Sequence, residues 1–169
     1  AWDQILKETG DQSVYIGGEM LNPDSFIVDG RLSGGHDMVS GDGADTLIDM
    51  NMTTNYDIFY GGRGRDTLTA EGNALMLGGS DNDVLKGSGS SRLFGDGGED
   101  RLYGSDHGSS HLYGGLDNDT YIIYRDKDIL IENLDEGNDT VESFISYTLP
   151  ANVENLTLTS TKKTTTPRA

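Results

Sequence analysis

A nine-residue pattern that recurs along the chain constrains the fold more than any other feature. It reads G-G-x-G-x-D-x-U-x, where U is a large apolar residue, and residues 61–69 match every position. Close copies occupy residues 78–86, 95–103 and 114–122. Ordinary Asp-Gly turns arise for local reasons and do not keep an apolar residue at one offset. The four copies therefore indicate a structural repeat.

Weaker copies lie between the four strong ones. Nine residues before each strong aspartate stand Asp57, Ala74, Ser91 and Ser110, and an apolar residue follows each of them two places later. The register continues downstream to Asp128 and Asp139 and upstream to Asp37 and Asp45. Residues 48–56 read as an insertion. The period persists along the chain, but the carboxylate is lost from three of the four intermediate copies.

These motifs resemble the calcium-binding nonapeptide of RTX (repeats-in-toxin) proteins, whose repeats form a parallel β-roll. The resemblance covers about residues 33–141. It implies an all-β fold, a parallel β-roll or β-solenoid of stacked repeats with terminal caps. We expect N-terminal strands or a cap in residues 1–32, the roll in residues 33–141, and a C-terminal cap and disordered tail in residues 142–169.

The residue types explain how such a repeat folds. Glycines tolerate positive φ and turn tightly, and Asp-x-U-x is a short strand in which U points inward and its neighbours point outward. Two nonapeptides bring the chain back above itself, so residues about 18 apart stack at roughly 4.8 Å. The predicted internal ladder is Phe59, Leu68, Met76, Leu85, Leu93, Leu102, Leu112, Tyr121, Leu130 and Val141.

Stacking separates two edges of different chemistry. One edge carries Asp45, Asp66, Asp83, Asp100, Asp119 and Asp139, and the other carries Asp37, Asp57, Ala74, Ser91, Ser110 and Asp128. A column of carboxylates repels itself unless a cation neutralises it, and calcium takes six to eight oxygen ligands. We therefore expect several calcium ions along the first edge, whereas the middle of the second edge lacks the charge to bind them.

The predicted calcium ligands are the aspartates and turn glycines of that first edge. They are Asp45, Gly62, Gly64, Asp66, Gly79, Asp81, Asp83, Asp96, Gly98, Asp100, Gly115, Asp117, Asp119 and Asp139.

Composition agrees with folding that depends on calcium. The 169 residues carry 29 acidic and 12 basic side chains, a net charge of −17, and 24 glycines, with only 34% hydrophobic residues. Charge repulsion and glycine entropy favour the unfolded chain, and a ligand that binds only the folded form reverses that balance.

The same composition excludes several function classes. The acidic charge argues against nucleic acid and anionic membranes as partners, and the sequence has no cysteine and no apolar run that could span a membrane. It contains no nucleophile elbow and no paired-acid motif, so we expect no catalytic residues.

The RTX resemblance implies a place of action. RTX proteins are exported by Gram-negative bacteria through type I secretion, and many are toxins. We therefore expect a secreted, extracellular or cell-surface location. The chain starts at Ala1 without an initiator methionine, which we interpret as a fragment of a longer protein. The leading hypothesis is a non-catalytic calcium-binding module that folds after secretion and supports an attached domain.

An alternative is an accessory module that binds a polysaccharide or another partner in a secreted enzyme or adhesin. One predicted sheet face motivates this alternative. The residues on either side of each inward-pointing ladder residue point outward there, and most of them are apolar. Its residues include Tyr60, Leu77, Arg92, Phe94, His111 and Tyr113. Large apolar faces are rarely bare. We expect a cap segment, either the N-terminal strands or residues 143–159, or else a partner or glycan to cover this face.

Overall fold

The computed structural model describes residues 37–39, 42–49 and 56–159. These ranges contain thirteen strands and no helix, and hence no helix that could cross a membrane. The strands are β1 Asp37–Val39, β2 Thr46–Asp49, β3 Tyr56–Arg63, β4 Thr67–Ala70, β5 Asn73–Ser80, β6 Val84–Gly87, β7 Arg92–Gly97, β8 Arg101–Tyr103, β9 His111–Leu116, β10 Thr120–Ile123, β11 Ile129–Leu130, β12 Thr140–Ser143 and β13 Asn155–Leu158. The predicted N-terminal strands of residues 1–32 lie outside the described residues.

The strands form two sheets between which the chain alternates. Sheet A has the order β1-β3-β5-β7-β9-β11, and sheet B has the order β13-β12-β10-β8-β6-β4-β2. Every pairing is parallel, and in sheet A Met76 pairs with Leu93, which pairs with Leu112. Apart from β12 and β13, which are adjacent in the chain and pair with each other, each strand therefore pairs with the strand two places along the chain. This is the predicted parallel β-roll.

The core is the predicted internal ladder. Leu130 keeps 6% of its surface exposed, and the other nine ladder residues from Phe59 to Val141 keep 0%. Neighbours of the ladder residues are half-buried or exposed, as in β6, where Leu85 is buried and Lys86 is exposed; Ile122, buried beside Tyr121, is the exception in the described strands. The period of two that defines a strand thus places one large side chain per strand between the sheets.

The step between the first two turns of the roll is longer than the later steps. Leu47 pairs with Leu68, 21 residues away, whereas Leu68 pairs with Leu85, 17 residues away. β2 ends at Asp49 and β3 begins at Tyr56. The extra residues therefore fall within the predicted insertion of residues 48–56, of which residues 50–55 lie outside the described part.

The C-terminal segment extends sheet B and packs against the end of the core. β13 pairs in parallel with β12, so that Leu156 lies beside Val141. Ile145, Tyr147 and Leu149 pack against the core cluster. A stack of repeats exposes apolar surface at its last turn, and a capping role for this segment stays a prediction.

Candidate metal centre

Aspartates form a hydrogen-bonded column along the turns that lead from sheet A to sheet B, here called the aspartate edge. Oδ1 of each aspartate accepts a hydrogen bond from the backbone N–H of the aspartate one turn earlier. The bonds are Asp45 N to Asp66 at 2.8 Å, Asp66 N to Asp83 at 2.7 Å, Asp83 N to Asp100 at 2.7 Å, Asp100 N to Asp119 at 2.8 Å and Asp119 N to Asp139 at 2.8 Å. Each carboxylate therefore connects two turns through one of its oxygens.

The second oxygen of these carboxylates is buried without a partner. Asp66, Asp83, Asp100 and Asp119 each keep 1% of their surface exposed. Their Oδ2 atoms have no hydrogen-bond partner among the described residues. A buried carboxylate oxygen without a partner is costly, and such groups are normally paired or coordinate a metal. The column thus presents a line of oxygens that a cation can bind.

Burial also changes the titration of these groups in the metal-free fold. Desolvation raises the pKa of Asp66 to about 6, of Asp100 to about 7, and of Asp83 and Asp119 to about 8. The backbone hydrogen bonds lower each pKa, while neighbouring carboxylates raise it. The folded column therefore resists full ionisation at neutral pH, which a bound divalent cation would reverse.

The turns of this edge have an unusual backbone that repeats in every copy. Their second and fourth positions have positive φ, which glycine adopts readily and aspartate tolerates better than most residues. The values are 102° at Gly62, 113° at Gly64, 116° at Gly79, 78° at Asp81, 74° at Asp96, 121° at Gly98, 109° at Gly115 and 77° at Asp117. The repeat pattern predicts Asp81, Asp96 and Asp117 as ligands, and the structure places them at these positive-φ positions with exposed side chains.

The first glycine of each turn marks a point on which oxygens converge. A Cβ built on Gly61, Gly78 or Gly95 would lie less than 3.0 Å from two oxygens. One is the free Oδ2 of the aspartate in the same turn, and the other is the carbonyl oxygen of the first glycine in the next turn. No side chain fits there, so glycine is required for these oxygens to lie close together. They are carboxylate and carbonyl oxygens, the ligand types that calcium takes, so the donor chemistry of this edge fits a calcium ion.

The middle of the opposite edge, here called the serine edge, is built without this charge, although Asp57 and Asp128 are buried at its ends. Ala74 and Ser91 replace aspartates, and Ser91 Oγ accepts a hydrogen bond of 3.0 Å from the Ala74 N–H. The same hydroxyl donates to the Ser88 carbonyl at 2.7 Å. Ser91 thus closes the turn with neutral bonds, as the predicted absence of charge requires.

Ser91 is nevertheless not a dispensable residue. The absence of charge by itself predicts that Ser91→Ala is nearly silent for folding, but the burial and hydrogen bonds of Ser91 predict a cost. Ser91 is fully buried, and its hydroxyl is the acceptor for the buried Ala74 N–H. Removing one partner from a buried hydrogen bond costs about 1–3 kcal/mol, whatever happens to calcium.

Sequence reasoning missed two residues at the C-terminal end of the aspartate edge. Glu154 Oε2 accepts a 2.8 Å hydrogen bond from the Asp139 N–H and so takes the role of the next aspartate. Glu132 is 92% buried, and its carboxylate oxygen lies within 4.8 Å of those of Asp119 and Asp139. Counting 18 residues on from the first glycine Gly114 reaches Glu132, so the register itself held the signal.

The predicted partner face lies on the outer side of sheet A. Tyr60 is 41% exposed, Arg92 is exposed, and Leu77, Phe94, His111 and Tyr113 are half-buried. The Phe94 and Tyr113 rings stack with centroids 4.4 Å apart and planes 4° apart. Because the two rings face each other, they shield faces that a sugar ring would need.

Residues 143–159 are one of the segments predicted to cover this face. Within them, Phe144 stacks on Tyr124 and Ile145 packs against the core.

The aromatic pair predicts a modest loss of stability for Phe94→Ser. The loss of ring stacking is expected to lower the free energy of unfolding by about 0.5–1.5 kcal/mol, measured by urea denaturation at saturating calcium. Arg92→Ser, an exposed position of the same strand, serves as the control. A loss of about 2–4 kcal/mol would show instead that a further segment buries Phe94.

Comparison with known proteins agrees with this geometry. The family described as the RTX calcium-binding nonapeptide repeat (4 copies) matches at residues 56–85, 69–91 and 77–106. The endo-1,3-1,4-beta-glycanase ExsH of Rhizobium meliloti (strain 1021) is 46% identical over 48 residues, which are 28% of this chain and 10% of the glycanase. No solved structure matches the chain.

The matched residues contain the central turns of the aspartate edge, from Gly61 to Asp100. Repeats of this family bind calcium, and they are typical of secreted proteins, toxins among them. Residues 56–106 are therefore RTX calcium-binding nonapeptide repeats, folded as part of a parallel β-roll.

Proposed function

We propose that this chain is a non-catalytic calcium-binding module that folds when calcium binds and supports an attached domain of a larger extracellular protein. The observation that carries the proposal is the column of buried, partnerless Oδ2 atoms at Asp66, Asp83, Asp100 and Asp119. A secreted protein meets calcium outside the cell, so the ion supplies the missing stabilisation where the protein is needed.

In this proposal each calcium ion lies between two successive turns of the aspartate edge. The aspartates supply Oδ2, and turn residues such as Gly78, Gly95 and Gly114 supply carbonyl oxygens. Because the Oδ1 atom of each aspartate also binds the previous turn, an ion held by Oδ2 would join neighbouring turns. Repeat folds gain stability mainly from such nearest-neighbour contacts.

The proposal predicts that removing calcium unfolds the chain. In excess chelator we expect circular dichroism to show little β-sheet, because the column of carboxylates and the net charge of −17 oppose folding. Calcium at millimolar concentration is expected to restore the β-sheet spectrum. Magnesium at the same concentration is the control and is expected to substitute poorly, since it demands small octahedral sites and retains its water. A complete β-sheet spectrum in chelator would refute the proposal.

The match to a glycanase supports a module within a larger enzyme. ExsH is named as an endo-1,3-1,4-beta-glycanase, and the match covers 10% of that protein. A direct polysaccharide-binding role through Tyr60, Phe94 and Tyr113 remains the second candidate, favoured by the 41% exposure of Tyr60. The stacking of Phe94 on Tyr113 makes that pair a poorer platform for sugars, which is why we place it second.

A further inference from the structure

We propose that the aspartate edge ends in a calcium site of different composition, in which Glu132 provides a third side-chain carboxylate beside Asp119 and Asp139. This inference rests on the proposed function and assigns a residue and a ligand set to one end of the column. It makes Glu132 a metal ligand, although the repeat pattern has a glycine at its position.

The register shows why Glu132 is an unusual residue. The first position of the preceding turns is Gly61, Gly78, Gly95 and Gly114, and the position after them is Glu132. Leu130 pairs with Leu112, which places Glu132 beside Gly114 in the next turn of the roll. In the other turns the glycine has no side chain to offer to a cation. At this end of the roll a carboxylate side chain is available there instead.

The three carboxylates form a compact and buried group. One oxygen from each of Asp119, Glu132 and Asp139 lies within 4.8 Å of the other two. Asp119 and Asp139 are each 1% exposed, and Glu132 is 8% exposed. Oδ2 of Asp119 and Oε2 of Glu132 have no hydrogen-bond partner among the described residues. The group therefore combines close like charges with free oxygens, which is the situation that a hard cation relieves.

Tyr121 sets the position of the Glu132 carboxylate. It is fully buried in the core ladder, and its hydroxyl donates a hydrogen bond to Oε1 of Glu132. The equivalent positions in the neighbouring turns are Leu102 and Val141, which cannot form such a bond. The phenol occupies one carboxylate oxygen and leaves the other free. The hydrogen bond from Tyr121 already restricts the carboxylate, so little further side-chain freedom is lost when an ion binds.

Nearby acidic groups are accounted for by other contacts. Glu136 Oε2 accepts a hydrogen bond of 2.8 Å from the Asn133 side chain, and Glu154 Oε2 accepts one from the Asp139 N–H. The mutually close carboxylates of the site are the three of Asp119, Glu132 and Asp139. Because calcium affinity rises with the number of charged ligands, we expect this site to fill at a lower calcium concentration than the turn sites.

Terbium luminescence with calcium titration tests this inference in the full chain. Terbium is a hard cation that takes oxygen ligands and luminesces when a nearby tyrosine absorbs light, and Tyr121 contacts Glu132 at this site. Glu132→Gln is expected to remove the luminescence that appears at the lowest terbium concentration. In isothermal titration it is expected to weaken the tightest calcium phase by about 10- to 100-fold. Tyr121→Phe, which removes one nearby phenol and its hydrogen bond to Glu132, is expected to weaken the same luminescence.

Glu99→Gln is the matched control, because Glu99 is an exposed acid of the same edge. It is expected to leave both signals unchanged. Equal calcium stoichiometry and affinity in wild type and Glu132→Gln would overturn the inference. If Glu132→Gln does not fold at saturating calcium, Glu132→Gly, which restores the residue of the other turns, decides the matter by the same comparison. A wild-type chain that folds without calcium would instead refute the proposed function.

Discussion

Replacing Asp100 by asparagine is expected to raise the calcium concentration needed for half-maximal folding by about 10- to 100-fold. Asparagine keeps the shape of the side chain and an oxygen for the hydrogen bond from the Asp83 N–H. The substitution removes the negative charge and places the asparagine NH2 group where the buried Oδ2 of Asp100 stands. Calcium titration followed by circular dichroism measures the shift.

The same substitution is expected to act in the opposite direction without calcium. Desolvation raises the pKa of Asp100 to about 7, so the charged form is disfavoured in the metal-free fold. Asp100→Asn removes that penalty, whereas Asp100→Ala also leaves the buried Asp83 N–H without its acceptor, at a cost of about 1–3 kcal/mol. We therefore expect Asn to favour the metal-free fold relative to both wild type and Ala, measured as the concentration of a stabilising osmolyte that restores the β-sheet spectrum in chelator.

Asp126→Ala is the control for lost charge, because Asp126 is exposed in the turn that follows β10. It is expected to leave the calcium midpoint nearly unchanged. If Asp126→Ala and Asp100→Asn shift the calcium midpoint equally, overall charge rather than a ligand at Asp100 controls folding.

Gly98→Ala is expected to destabilise the calcium-bound roll severely. Gly98 has a φ of +121°, and strain of this kind costs about 1–3 kcal/mol in a residue with a side chain. A Cβ there would also overlap the carbonyl group of Asp81 in the previous turn. Crowding of this sort adds about 1–3 kcal/mol. Because the obstacle is backbone, the two turns have to separate, and calcium binding between them is expected to weaken as well.

The adjacent glycine provides a close control for that prediction. Gly97 lies in β7, and the nearest atom to its Cβ would be the Gly79 carbonyl oxygen at 3.9 Å, an ordinary contact. Gly97→Ala is therefore expected to change the free energy of unfolding by less than about 1 kcal/mol. Urea denaturation at saturating calcium compares the two variants. Equal losses at both positions would show that the stacked turns do not approach each other as closely as described.

The sequence alone determined the fold and the identity of the acidic edge. Strand side chains alternate and each turn of the roll repeats, so a single register identified the buried residues from Phe59 to Val141. The same register aligned Asp66, Asp83, Asp100 and Asp119 in one column, whose contacts the structure now shows. Local periodicity was sufficient here because every turn contacts mainly its neighbours.

Only the tertiary structure decided which atoms of these residues are free and which are bound. The sequence pattern does not distinguish the two carboxylate oxygens of Asp100. Oδ1 accepts a hydrogen bond from the Asp83 N–H, whereas Oδ2 has no partner among the described residues. The roles of Ser91 as a buried acceptor and of Glu132 beside Asp119 likewise depend on residues 17 and 13 positions away. Hydrogen bonds and charge clusters depend on distances between turns, which the one-dimensional register does not contain.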